Sequence, residues 1–70
     1  MTKEAEYLKA ALLLLSDNGS VSGAARKLQV SRAAIWGWVN SGIPPKRAVQ
    51  IEQMTGGVIK RHQLNGIFSV

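Results

Sequence analysis

Apolar residues recur at helical spacing along most of this chain. In the first such stretch Tyr7, Leu8, Ala11, Leu12 and Leu15 give the offsets of three, four and seven that make the stripe of a helix facing a core. Thr2 can cap it, and Glu4 and Glu6 fall in its first turn, where negative charge suits the helix dipole. Leu13 and Leu14 widen the stripe to almost all-round apolarity. This predicts a well-buried helix; the alternative is that its spare apolar side meets a partner subunit. Asp17-Asn18-Gly19 ends it, with Gly19 able to turn left-handed.

The stretch from Ser20 to Asn40 reads as two short helices joined by a tight turn, the first over about Val21 to Leu28 and the second over about Arg32 to Asn40. Ser20 and Ser31 are their N-caps, because a serine hydroxyl accepts from an early helix N–H. Ala24, Ala25 and Leu28 share a face of the first. Ala34, Ile35 and Trp38 form the inward face of the second. Ala25 lets the helices approach, and Val30 and Ile35 fill the angle between them, as a helix-turn-helix requires. Gln29 stands in the turn; if left-handed, it costs about 1 kcal/mol relative to glycine.

The third helix ends near Ser41-Gly42. Pro44 biases Ile43 away from helix, and Pro45 fits the first turn of a fourth helix over about Pro45 to Met54. Its inward residues are Ala48, Ile51 and Met54 or Thr55, and Thr55-Gly56-Gly57 stops it. Val58 to Lys60 reads as a short extended segment by its β-branched content. Arg61 to Leu64 reads as one helical turn and Asn65-Gly66 as a break. Ile67-Phe68-Ser69-Val70 is an apolar tail expected to dock on the core or pair with a second copy.

Length confines these elements to one domain: 70 residues bury only about 60% of their unfolded surface. Helix packing must therefore stabilise the fold, with dimerisation as a possible aid. No cysteine is present, which excludes disulfides and zinc–thiolate sites, and the single histidine, His62, leaves no metal cluster. The run Ala10 to Leu15 is too short to span a bilayer and lacks the flanks of a signal peptide, so a cytoplasmic protein without membrane partners is expected.

Charge changes the picture more. Nine basic residues against four acidic give +5, a bias toward polyanions. Three of the acids lie at or before Asp17. From Asn18 onward Arg26, Lys27, Arg32, Lys46, Arg47, Lys60 and Arg61 face Glu52 alone. Catalysis has little to work with: no phosphate-cradling glycine loop, no spaced carboxylate pair, no helper for His62. No enzyme activity and no cofactor are expected.

DNA binding has a mechanism. With Ile35 and Trp38 inward, the opposite face of the third helix shows Arg32, Ala33, Trp36, Gly37 and Asn40, and the first half of such a helix enters the major groove. Ser31 can bond a phosphate or base edge. Arg32 can read guanine O6 and N7 bidentately, and Ala33 leaves room for a thymine methyl. Gly37 permits close approach of backbone to DNA, at a helix cost of roughly 1 kcal/mol. Trp36 has two readings, pressing on a thymine methyl or sugar, or packing flat over the first or second helix. Ser20, Arg26, Lys27, Asn40, Lys46 and Arg47 are the candidate phosphate contacts, with helix N-terminal amides near Ser20 and Pro45 assisting.

The chain resembles the YdaS/Cro-like family of small prophage-associated helix-turn-helix proteins. The resemblance rests on Ala24-Ala25, Leu28-Gln29-Val30-Ser31, Ala34-Ile35-Trp36-Gly37-Trp38 and Ile43-Pro44-Pro45-Lys46-Arg47-Ala48. It continues through Ile51-Glu52, Thr55-Gly56-Gly57, Ile59-Lys60-Arg61-His62 and Leu64, covering roughly Ser20 to Phe68. It implies an all-α, compact four- to five-helix bundle of the lambda-repressor/Cro-like type. It also implies operator binding and repressor-like control of lysogeny or of a neighbouring toxin-like gene. By the family pattern Ser31, Arg32, Ala33, Trp36 and Gly37 take the base-facing positions. Gln29, where glycine is common, and Lys60, where a small hydroxyl residue is common, depart from it.

The expected partner is therefore a double-stranded DNA operator, bound by a homodimer at least on DNA. The rival reading is an antitoxin-type or adaptor module that docks a protein through the first helix or the C-terminal tail. A third is a DNA-packaging or recombination accessory built on the same motif.

Overall fold

A computed structural model describes residues 3–16 and 19–68. The chain forms α1 (Lys3–Leu15), α2 (Val21–Leu28), α3 (Arg32–Ser41), α4 (Pro45–Met54) and α5 (Arg61–Leu64), then a 3-10 turn over Gly66–Phe68. The fold is all-α, and no strand occurs among the described residues. The Thr2 cap, Asp17, Asn18, Ser69 and Val70 lie outside them.

α1 is the hub. It packs against α2, α3 and α5, while α4 packs on α5 and α5 on the final turn. The stripe expected of α1 is buried at Leu8, Ala11, Leu12 and Leu15, with Tyr7 partly covered and Ala5 added. These residues join Ala24, Ala25 and Leu28 of α2, Ile35 and Trp38 of α3, Ile43, Ala48 and Ile51, and Ile59 and Leu64 in one core. Leu8, Leu28, Ile35, Ile51 and Leu64 are fully enclosed. Truncating any of them to alanine costs about 2–5 kcal/mol, much of what a small domain has.

The reading of α1 as buried on most sides does not hold. Leu13 is 66% and Leu14 54% exposed. The physical reason is topological: α2, α3 and α5 cover one broad face of α1, and no described element lies across the opposite side.

Both serine caps form as expected. Ser20 Oγ accepts from the Gly23 N–H at 3.0 Å and Ser31 Oγ from the Ala34 N–H at 3.1 Å. Between them Gln29 is left-handed, at φ 61° and ψ 43°. The Gln29 N–H donates to the Arg26 carbonyl at 3.2 Å and the Val30 N–H to the Ala25 carbonyl at 3.0 Å. This is the Schellman pair of bonds that closes a helix end. The same closure ends α4, where Gly56 at φ 65° lets the Gly57 N–H reach the Glu52 carbonyl.

The segment after α4 differs from the extended reading. Val58 and Ile59 lie in a bend, because the Thr55 hydroxyl accepts from the Ile59 N–H at 3.3 Å and pulls the chain back on itself. Only Lys60, before α5, is extended. Its side chain has no acceptor to offer the helix; the reciprocal half of a capping box forms, with the Lys60 N–H donating to Gln63 Oε1 at 2.7 Å. Met54 faces outward, 38% exposed, while Thr55, the alternative inward residue, is half-buried; Ala48 and Ile51 are the buried residues of α4.

The tail docks in part. Phe68 packs against the core, whereas Ile67 is 70% exposed. Arg61 joins the pieces: its guanidinium donates to the Glu52 carboxylate of α4 and lies 5.7 Å from the Phe68 ring centroid. Asn65 Nδ2 donates to the Ile43 carbonyl at 2.7 Å, and the Gly66 N–H to Glu4 Oε2 at 3.3 Å.

Candidate nucleic-acid interface

The α2–turn–α3 unit exposes the basic residues Arg26, Lys27 and Arg32 together with Trp36. Burial of Ile35 and Trp38 fixes the rotation of α3. Arg32, Ala33, Trp36 and Gly37 then fall on its outward face at spacings of one, four and five, and all are exposed. Ser31 precedes them, also exposed, with its hydroxyl accepting from Ala34 and its own proton still available. Among the described residues Arg32 makes no ion pair; the one such pair joins Arg61 and Glu52. The sequence carries no acid between Asp17 and Glu52, so nothing on α2 or α3 opposes an incoming anion.

Gly37 has open space around it: beyond its own helix backbone and chain neighbours, a Cβ placed there meets nothing within 4 Å. The glycine is not required by packing inside the fold. This removes the structural reason for a residue that lowers helix stability by about 1 kcal/mol.

Trp36 stays at the surface, 50% exposed. It lines an apolar groove with Lys9, Leu12 and Leu13 of α1, Gly19, and Val21 of α2. It does not complete the core.

The candidate phosphate contacts divide into three groups. Arg26 and Lys27, in the last turn of α2, and Lys46, in the first turn of α4, are exposed. Ser20 is a half-buried cap whose hydroxyl serves Gly23. Asn40 stays exposed and bonds its own helix, whereas Arg47 is drawn into the fold. Asn40 Nδ2 donates to the Trp36 carbonyl at 3.1 Å, and the residue borders a depression shared with Glu4 at the start of α1. Arg47 is half-buried, and its Nη1 donates to Gln50 Oε1 at 2.7 Å and to the Leu28 carbonyl at 3.4 Å. Gln50, which sequence reasoning passed over, donates from Nε2 to that same carbonyl at 3.4 Å. The available signal was its position three residues after Arg47 on one helix.

Among the described residues Glu52 is the one titratable group clearly displaced from its ordinary behaviour. The hydrogen bond from Arg61 lowers its pKa, burial opposes that, and the charges of Arg61 and Lys60 lower it further. This pair belongs to the α4–α5 joint and stands apart from the α3 face. Among the described residues no helix is long and apolar enough to cross a membrane, and no cluster of side chains suits a metal ion.

A family model described as Bacterial toxin YdaS matches residues 13–65, from the last turn of α1 to the residue after α5. No curated protein and no solved structure matches the chain. The matched span holds the whole α2–α3 unit, the α4 residues that touch it and most of the core. On that span, three quarters of its length, the chain belongs to the Bacterial toxin YdaS family.

Proposed function

We propose that this protein is a sequence-specific DNA-binding transcriptional regulator of the Cro or repressor type, acting on cytoplasmic DNA, with α3 in the major groove. The observation that carries this reading is the outward stripe of α3. Arg32 supplies a planar fork suited to guanine O6 and N7, Ala33 and Gly37 leave room for base edges, and Trp36 offers an apolar surface to a thymine methyl. Ser31, at the helix start, adds a hydroxyl. Arg26, Lys27 and Lys46 flank the stripe and supply the sequence-independent attraction to phosphates.

One chain covers one half-site. Its longest dimension is 30 Å, shorter than the roughly 34–36 Å that separates half-sites one helical turn apart. A two-fold operator therefore takes two copies. Selection of bound fragments from a random duplex pool tests the reading. The expected product is a symmetric pair of half-sites containing guanine; a pool that stays unenriched after repeated rounds overturns it.

A second reading is favoured by a specific feature. Leu13 and Trp36 are exposed and border one apolar groove, and Leu14, next to Leu13 in α1, is exposed too. A toxin- or antitoxin-type module would dock a protein there. Tight binding to one protein partner, lost in Leu13→Glu, together with absence of salt-dependent DNA binding, would favour this second role over the first.

A further inference from the structure

We propose that Arg47 and Gln50 are positioning residues that hold the α2–α3 turn, and with it the recognition helix, through the Leu28 carbonyl. The proposal rests on the DNA-reading role assigned to α3. A helix end leaves its last carbonyls without N–H partners. At the end of α2 the Ala25 and Arg26 carbonyls are taken by Val30 and Gln29. The Leu28 carbonyl is taken instead from far along the chain. Arg47 Nη1 and Gln50 Nε2 each donate to it at 3.4 Å, across sequence separations of 19 and 22 residues.

The two donors are joined to each other, since Arg47 Nη1 also donates to Gln50 Oε1 at 2.7 Å. A guanidinium and an amide, both planar, thus form a closed triangle with one backbone oxygen. α4 packs mainly on α5, so this triangle is a polar tie between α4 and the turn that α3 leaves from. Three residues after Leu28 the Ser31 cap begins α3. A rotation of the turn carries directly into the pitch of α3 and the placement of Arg32.

Arg47 is therefore placed differently from Lys46, its exposed neighbour. To reach a phosphate, its engaged nitrogen would leave Gln50 and the Leu28 carbonyl. A lysine keeps the charge and loses the planar fork. A positioning role and a phosphate-binding role consequently respond to substitution in opposite ways.

The experiment uses Arg47→Lys, Arg47→Met and Gln50→Met in the full chain. The probes are the duplex recovered by random-pool selection and a mixed-sequence duplex without that site, each titrated across a range of salt. Loss of the tie is expected to weaken binding to the selected duplex about tenfold in all three variants. Binding to the mixed-sequence duplex and the slope of log K against log salt are expected to stay at wild-type values. The proposal is overturned if Arg47→Met weakens both duplexes alike and lowers the slope by about one unit, with Arg47→Lys and Gln50→Met binding like wild type.

If the wild-type chain binds no duplex in a salt-dependent way, the DNA reading itself falls. The tie is then judged by backbone amide NMR shifts. Gln50→Met is expected to move Gln29, Val30 and Ser31, and unmoved signals there would overturn it.

Discussion

Val30 donates its N–H to the Ala25 carbonyl, 3.0 Å away, over a left-handed Gln29 at φ 61°. This bond closes α2 and sets the turn into α3. Gln29 occupies a conformation that costs a side-chain-bearing residue on the order of 1 kcal/mol, and it is exposed. Gln29→Gly should therefore stabilise the fold by about 0.5–1 kcal/mol, which raises Tm by about 4–8 °C per kcal/mol in a domain of this size. Thermal unfolding by circular dichroism measures it. A lower Tm would mean that the chain reaches this conformation without strain.

Gly37 separates stability from recognition. With open space at its Cβ position, Gly37→Ala should raise stability by about 0.5–1 kcal/mol. If DNA backbone or base edges approach that point, the same methyl group should weaken binding to the selected duplex. Unfolding and titration of one variant read both effects. A variant that is more stable and binds equally well would place Gly37 outside the contact.

The joint between α4 and α5 should respond to acid. The hydrogen bond from Arg61 lowers the Glu52 pKa in the folded state. A carboxyl group so shifted contributes stability above its unfolded pKa, and that contribution is lost as pH falls through the folded value. In Glu52→Gln the site no longer titrates. The stability gap between wild type and Glu52→Gln should be constant near neutrality and close as pH drops below the ordinary carboxylate range, about 4. Thermal unfolding across that range checks it; a gap that widens toward acid would reverse the sign.

Local chemistry made much of this fold legible in the sequence. The serine caps at Ser20 and Ser31, the Pro45 start of α4 and the single turn at Arg61 each follow from neighbouring residues. Rotation of α3 was legible for the same reason, because Ile35 and Trp38 leave only one inward face. Side chains whose fate depends on distant partners were not. Leu13 and Leu14 continue an apolar run, and only the arrangement of α2, α3 and α5 around α1 shows which side stays uncovered. Arg47 looks like any basic residue at a helix start; its bond to the Leu28 carbonyl spans 19 residues. Val58 has strand-forming composition, but the Thr55 hydroxyl folds its segment into a bend.

The most direct test of the account is the preference of Arg32→Ala for its site, measured as the ratio of affinities for the selected and the mixed-sequence duplex. Arg32 stands on the outward face of α3, with no ion pair among the described residues. A bidentate contact to guanine is worth about 1–3 kcal/mol of discrimination, so the ratio should fall by about five- to more than a hundredfold. Lys46→Ala, by contrast, should weaken both duplexes alike and lower the salt slope by about one unit. An Arg32→Ala variant that keeps the wild-type ratio would contradict the claim that α3 reads DNA sequence.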